Sequence, residues 1–186
     1  MLKQVAMKEI VKSKYKEFIP QLINILENSK EDMKLRAEAA KSLGVFKNDK
    51  TVAAALMNGL SVDNDLPLRM SCAASLGDIG GNDAAVLNKL LKILSDVDSE
   101  SELVMEVIDA LEKIGDKRVQ YLLVDVVIVH EELYVKKRAL RAIGKIGDKV
   151  VVKELQEAAE LLKKEKDFQD DIVPDIKKVI EILSKK

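Results

Sequence analysis

Apolar positions fall into short blocks with helical spacing, and the blocks repeat along the chain. Four tetrads, Asp49-Lys50-Thr51-Val52, Asp83-Ala84-Ala85-Val86, Asp116-Lys117-Arg118-Val119 and Asp148-Lys149-Val150-Val151, open successive blocks, and the anchoring Asp recurs after 34, 33 and 32 residues. Leu56, Leu90, Leu123 and Leu155 stand seven residues after each Asp, and Leu60, Leu94, Val127 and Ala159 stand eleven after it. Offsets of 3, 7, 10 and 11 mark one face of an α-helix. An Asp just ahead of that face is predicted to be an N-cap, its carboxylate accepting from free N–H groups of the first turn and opposing the positive end of the dipole. Phe18, Leu22, Ile25 and Leu26 occupy the same offsets one period earlier, with Tyr15 in place of the Asp. Five first helices are therefore expected, the first of them atypical.

Each first helix is followed by a short polar link and a second apolar-periodic segment, Arg36 to Gly44, Arg69 to Gly77, Val104 to Leu111 and Lys136 to Gly144. Small residues at 39, 40, 72, 73, 110 and 139 predict close helix–helix approach. The links carry start signals, Ser29 with Asp32, Asp65 with Pro67 and Ser99 with Glu102 as a capping box. Gly80-Gly81, Gly115 and Gly147, just ahead of the next Asp, predict left-handed helix stops. Leu122 to Val129 is β-branched enough to suggest a strand, but its register within the period predicts a helix buried on more than one side. The last unit lengthens into a charged stretch, Lys163 to Asp171, and a segment Ile172 to Leu183 with Pro174 near its start; Leu2 to Val11 is expected to be the matching cap at the other end.

Composition narrows the class. With 31 Lys+Arg against 32 Asp+Glu, a formal charge of -1 and 47% hydrophobic residues, the 186-residue chain excludes a polybasic module, an acidic tail and a disordered chain, and has enough apolar residues for a sizeable core. The single cysteine, Cys72, at a small-residue packing position, reads as a buried thiol. No apolar run of about 18 residues and no signal-peptide pattern is present, so a cytoplasmic protein that does not span a membrane is expected.

The arrangement Arg-x-x-Ala-Ala-x-x-Leu-Gly, best kept at Arg36 to Gly44 and Arg69 to Gly77, with Ile146-Gly147-Asp148 ending a unit, resembles HEAT repeats of the short, phycobilisome-lyase type. The resemblance implies an all-α, armadillo-like fold: an α/α superhelical solenoid of about five HEAT-like helical-hairpin repeats with terminal caps. The repeats span approximately 15–48, 49–82, 83–115, 116–147 and 148–184, with 1–14 as an N-terminal capping helix of a single 1–186 domain. The family's second-helix Arg is replaced by Val104 and Lys136 in two repeats. Where the resemblance keeps it, it implies that Arg36 and Arg69 stitch adjacent repeats through links bearing Asp63, Asp65, Asp96 and Asp98.

Chemistry is sparse. The single His130, in Val129-His130-Glu131-Glu132, lies at a helix junction; the His-Glu metal site of the HEAT-repeat enzyme deoxyhypusine hydroxylase needs several such pairs, and one cannot supply it. No Cys/His zinc set, nucleophile–base system, calcium loop or phosphate loop is written in the chain, so no catalytic residue, no cofactor and no metal are expected.

The second-helix face, concave in HEAT solenoids, remains. Register places Glu106 beside Arg138 and Asp109 beside Arg141, with Lys137, Arg141 and Lys145 as a basic row. These residues read as an ion-pair ladder or as a split-charge recognition surface, with Ser71 as a neutral stretch and Met70 and Met105 as soft contacts. The expected function is non-enzymatic protein–protein scaffolding, with an unknown protein or peptide on that face. The phycobilisome-lyase resemblance implies an alternative, a bilin lyase or tetrapyrrole-chaperone subunit, although Tyr15, Tyr121 and Tyr134 are too scattered to line a bilin pocket. A nucleic-acid module is disfavoured by the net charge and by the lack of aromatics between the basic residues. The oppositely charged faces could also pair two copies into a homodimer.

Overall fold

The Asp-anchored period becomes five consecutive helix pairs. A computed structural model describes residues 15–80, 83–96, 98–165 and 169–186; the expected N-terminal cap at 1–14 lies outside them. The pairs are α1 (Ile19–Glu27) with α2 (Met33–Leu43), α3 (Lys50–Gly59) with α4 (Leu66–Ile79), α5 (Ala84–Leu94) with α6 (Ser101–Ile114), α7 (Gln120–Val129) with α8 (Leu133–Ile146), and α9 (Val152–Leu162) with α10 (Gln169–Ser184). Among the described residues there is no strand. The fold is an all-α array of helical hairpins.

The Asp residues cap as their spacing predicts. Asp49 accepts from the N–H of Thr51 at 3.0 Å and of Val52 at 3.3 Å, Asp83 from Ala85 at 2.9 Å, Asp116 from Arg118 at 2.9 Å and Asp148 from Val150 at 3.1 Å. Two start signals differ from expectation. Asp32, not Ser29, caps α2 by accepting from Leu35 N–H at 3.2 Å. Ser99 is used in a turn, its N–H donating to the Asp96 carbonyl at 3.1 Å, and α6 begins at Ser101 with Glu100 at the cap position, one residue later than a Ser99 cap would place it. The glycine stops also divide. Gly115 is left-handed (φ 74) and Gly80 has φ 53, but Gly147 is extended (φ −71). What requires glycine at 147 is space: a Cβ there would lie 2.6 Å from the Ile143 carbonyl oxygen.

The chain divides into two compact units, residues 1–90 and 91–186, with the boundary inside α5. In the first unit α1 and α3 form one layer and α2 and α4 the other. Leu22, Leu26, Leu43, Leu56 and Leu76 are buried between them. Small residues set the approach: the Ser75 hydroxyl donates to the Ala40 carbonyl at 2.9 Å, and a Cβ on Gly59 would lie 2.4 Å from Cys72 Sγ. Cys72 is fully buried, which pushes its thiol pKa up to about 12.

In the second unit α7 packs on α8 and α9, and α8 on α6 and α10. α7 is a helix, as its register predicts, with Gln120, Leu123, Val124, Val126 and Val127 buried, while Tyr121 is 48% and Val129 68% exposed. α10 begins at Gln169, earlier than the Ile172 expected, and holds Pro174 inside it. Asp170 and Asp171 in its first turn favour that earlier start by opposing the dipole.

Candidate protein-binding surface

The geometry of the second helices begins with how they are anchored. Arg36, on α2, is buried; its Nε donates to the Leu26 carbonyl at 2.8 Å, closing the C-terminal end of α1, and its other nitrogen donates to Asn64 Oδ1 at 2.9 Å. The link partner is thus Asn64, not the Asp63 or Asp65 that flank it. Asn64 also donates to the Gly59 carbonyl at 3.2 Å, which a carboxylate could not do. Lys136 occupies the corresponding place on α8. Its ammonium donates to the carbonyls of Val127 at 2.9 Å and Ile128 at 2.7 Å, closing the end of α7. The Arg-to-Lys exchange therefore preserves the function of the position, cationic closure of the first helix's negative end.

Of the sequence-predicted surface residues, Met70 and Ser71 lie on α4 in the first unit and the others on α6 and α8 in the second. Ser71 is buried and its hydroxyl donates back to the Pro67 carbonyl at 2.9 Å; Met70 is half-buried. Ser71 and Pro67 form one wall of a shallow cleft of about 420 Å³, whose other wall is Met33, Lys34, Ala37, Glu38 and Lys41 of α2. Met70 is not part of that wall.

On α6 and α8 the charges interlock. Asp109 receives Arg138 at 2.9 Å and also Arg141, one turn further along α8. Glu112 receives Arg141 at 3.1 Å and also Lys145. Each carboxylate thus bridges two cations, and Arg141 joins the two carboxylates. The partner of Arg138 is Asp109 where register alone suggested Glu106; Glu106 and Met105 are half-buried on the same helix. Lys137 points the other way, 3.8 Å from Asp171 on α10. Glu112 and Asp171 are additions to the expected set. Glu112 was findable, since it stands 33 residues before Lys145, one period. The Asp171 contact depends on the end of the array, where the period fails. The carboxylates are the more buried members, at 28% exposure for Asp109 and 15% for Glu112, while Arg141 and Lys145 remain at 44% and 58%. The anions lie at the floor of the row and the cations project.

Among the described residues no group of three His, Cys, Asp or Glu is placed to hold a metal ion, and no helix is long and apolar enough to cross a membrane. His130 serves locally: its Nδ1 accepts from Glu132 N–H at 3.1 Å, and burial, with the nearby Lys136 charge, holds its pKa below the ordinary histidine value.

No curated protein matches the sequence. The family model for HEAT repeats matches it twice, over residues 19–100 and 87–167, which takes in nine of the ten helices above in full or in large part. The chain belongs to the HEAT-repeat family.

Proposed function

We propose that the chain is a non-enzymatic binding scaffold of the cytoplasm, and that in the second unit the α6–α8 face receives an acidic segment of a partner protein. HEAT repeats mediate protein–protein interaction in general, and that family membership sets the class. The observation that carries the reading is the stoichiometry of the row: Arg138, Arg141 and Lys145 share only Asp109 and Glu112, and the cations are the exposed members. Exposed ion pairs contribute about 0–1 kcal/mol each. Stability alone explains little of a row with one cation in surplus, whereas a partner carboxylate would complete it and gain in association rate.

The repeats are read as the short, phycobilisome-lyase-like type. That likeness rests on Arg36 to Gly44 and Arg69 to Gly77, which pack and close helices, and it brings no tetrapyrrole chemistry with it.

The test is retention of a partner from native cell extract by the wild type and by Arg141→Gln/Lys145→Gln, with Lys89→Gln/Lys92→Gln as a charge-matched control and circular dichroism confirming helicity. Loss with the first variant alone supports the reading. Equal retention by both variants removes it, and a salt-sensitive shift in sedimentation of the wild type alone would replace it with self-association.

A further inference from the structure

The most apolar helix of the second unit, α7, buries Val126 on one side but leaves Asp125 and Val129 exposed beside it. Leu122, Asp125, Val126 and Val129 fall at i, i+3, i+4 and i+7, and together they line a cleft of about 470 Å³. The cleft continues over Leu94 and Asp96 at the end of α5, over Val104 in the first turn of α6, and ends against His130, Glu131 and Glu132. Its volume is that of a site for a short segment rather than a flat interface.

The chemistry of its wall is one-sided. The floor is aliphatic, with Val104 and Val126 buried and Val129 68% exposed at the open end. The rim carries four exposed carboxylates, Asp96, Asp125, Glu131 and Glu132, and no Lys or Arg lines the cleft. None of the four makes an ion pair among the described residues, whereas the carboxylates of the α6–α8 row are all engaged. Unpaired like charges around an apolar floor repel one another and attract a cation. A Lys or Arg side chain meets both demands, since its stem is aliphatic and its head charged.

We propose that this cleft, at the link edge of the second unit and separate from the second-helix row, binds a cationic segment of a partner protein. The segment lays a Lys or Arg stem and neighbouring aliphatic side chains over Leu122 and Val129, with the cationic head at Asp125 and Glu131. Burial and the nearby Lys136 charge hold the His130 pKa below the ordinary histidine value, which disfavours a competing positive charge there.

The experiment is an NMR titration of the isotope-labelled full chain with a short peptide alternating leucine and lysine. Leucine–glutamate and serine–lysine peptides of equal length serve as controls. The expected result is a set of amide shifts centred on Asp125, Val129 and Glu131, with both controls at least about tenfold weaker. Asp125→Asn/Glu131→Gln and, separately, Val129→Ser should each weaken the leucine–lysine peptide by about tenfold while circular dichroism stays unchanged; all three positions are exposed, so folding is not at stake. Several results would overturn the proposal: no localised shifts up to about 1 mM peptide, shifts centred elsewhere, serine–lysine binding as well as leucine–lysine, or unchanged affinity in the variants. Concentration-dependent shifts of the same amides without peptide would assign the cleft to a second copy and overturn it too. These variants leave Arg141 and Lys145 untouched, so the outcome is independent of the second-helix reading.

Discussion

Lys136 is 1% exposed and yet carries an ammonium, and replacing it by methionine tests whether cationic closure of α7 stabilises the fold. Two hydrogen bonds are lost, to Val127 at 2.9 Å and Ile128 at 2.7 Å. Bonds from a charged donor contribute about 1.5–3 kcal/mol each, so the gross loss is roughly 3–6 kcal/mol. Against this, removing a buried ammonium relieves a desolvation penalty of several kcal/mol, and the methionine stem retains the packing. The two carbonyls lose the partner that closes the α7 end, so the balance should fall at a destabilisation of about 2 kcal/mol, or roughly 4–8 °C in melting temperature. Lys136→Arg should retain most of the stability, because Arg36 already closes α1 in that manner at 2.8 Å.

The same residue makes a pH signature. Burial pushes the Lys136 pKa below the ordinary 10.5, with the Glu165 charge opposing the shift. Below the folded-state pKa both states hold the proton and the burial cost is present in full. Between the folded value and 10.5 the unfolded chain binds the proton and the folded chain does not, so stability rises with pH across that window. Urea unfolding of wild type, Lys136→Met and Lys136→Arg at pH 7 and through the alkaline range would read both effects. A Lys136→Met chain as stable as wild type at pH 7, or one that keeps the alkaline rise, refutes the account.

Gly59→Ala gains up to about 1 kcal/mol of helix propensity, yet its Cβ would lie 2.4 Å from Cys72 Sγ; a net destabilisation of about 1–3 kcal/mol is expected, largely relieved in Gly59→Ala/Cys72→Ala, as a thermal-melt double-mutant cycle would show. The Cys72 thiol, fully buried and with its pKa at about 12, should react with a disulfide reagent at pH 8 only on the timescale of local opening, and at once in denaturant. Asp49, Asp116 and Asp148 hold their carboxyl pKa values below the ordinary 3.8, chiefly through Thr51, Arg118 and the Val150 N–H respectively. Their contribution is present above pH 3.8 and lost as pH falls toward the folded values, so Asp49→Asn/Asp116→Asn should flatten the acid limb of an unfolding titration while retaining the helix.

The fold was legible because its determinants are local. An Asp cap and an apolar face with offsets 3, 7 and 11 act within a few turns and agree with one another in every repeat from Asp49 to Asp148, while the small-residue pair is kept at 39–40 and 72–73 and reduced to Ala110 and Ala139 later. Gly115 shows this well, since a stop one residue ahead of a cap leaves few backbone choices. Gly147 shows the boundary of such reasoning. The glycine is demanded there by the Ile143 carbonyl, a packing constraint, and the same letter encodes a different conformation.

The surface was legible only where the period carries across neighbours. The Asp109–Arg141 pair is 32 residues apart and was readable; Arg138 selected Asp109 over Glu106 because an arginine spans a full turn, and register fixes helices more tightly than it fixes long side chains. The cleft along α7 escaped for the opposite reason. Its residues come from the end of α5, the start of α6 and the α7–α8 link, where capping and turn chemistry dominate the sequence pattern. Leu122 to Val129 reads as core by composition, and only the packing shows that Asp125 and Val129 stay exposed beside a ring of carboxylates. A binding surface on a repeat array is written in departures from the repeat, so the two places to look on this chain are the surplus cation over Glu112 and the unpaired acids around Val129.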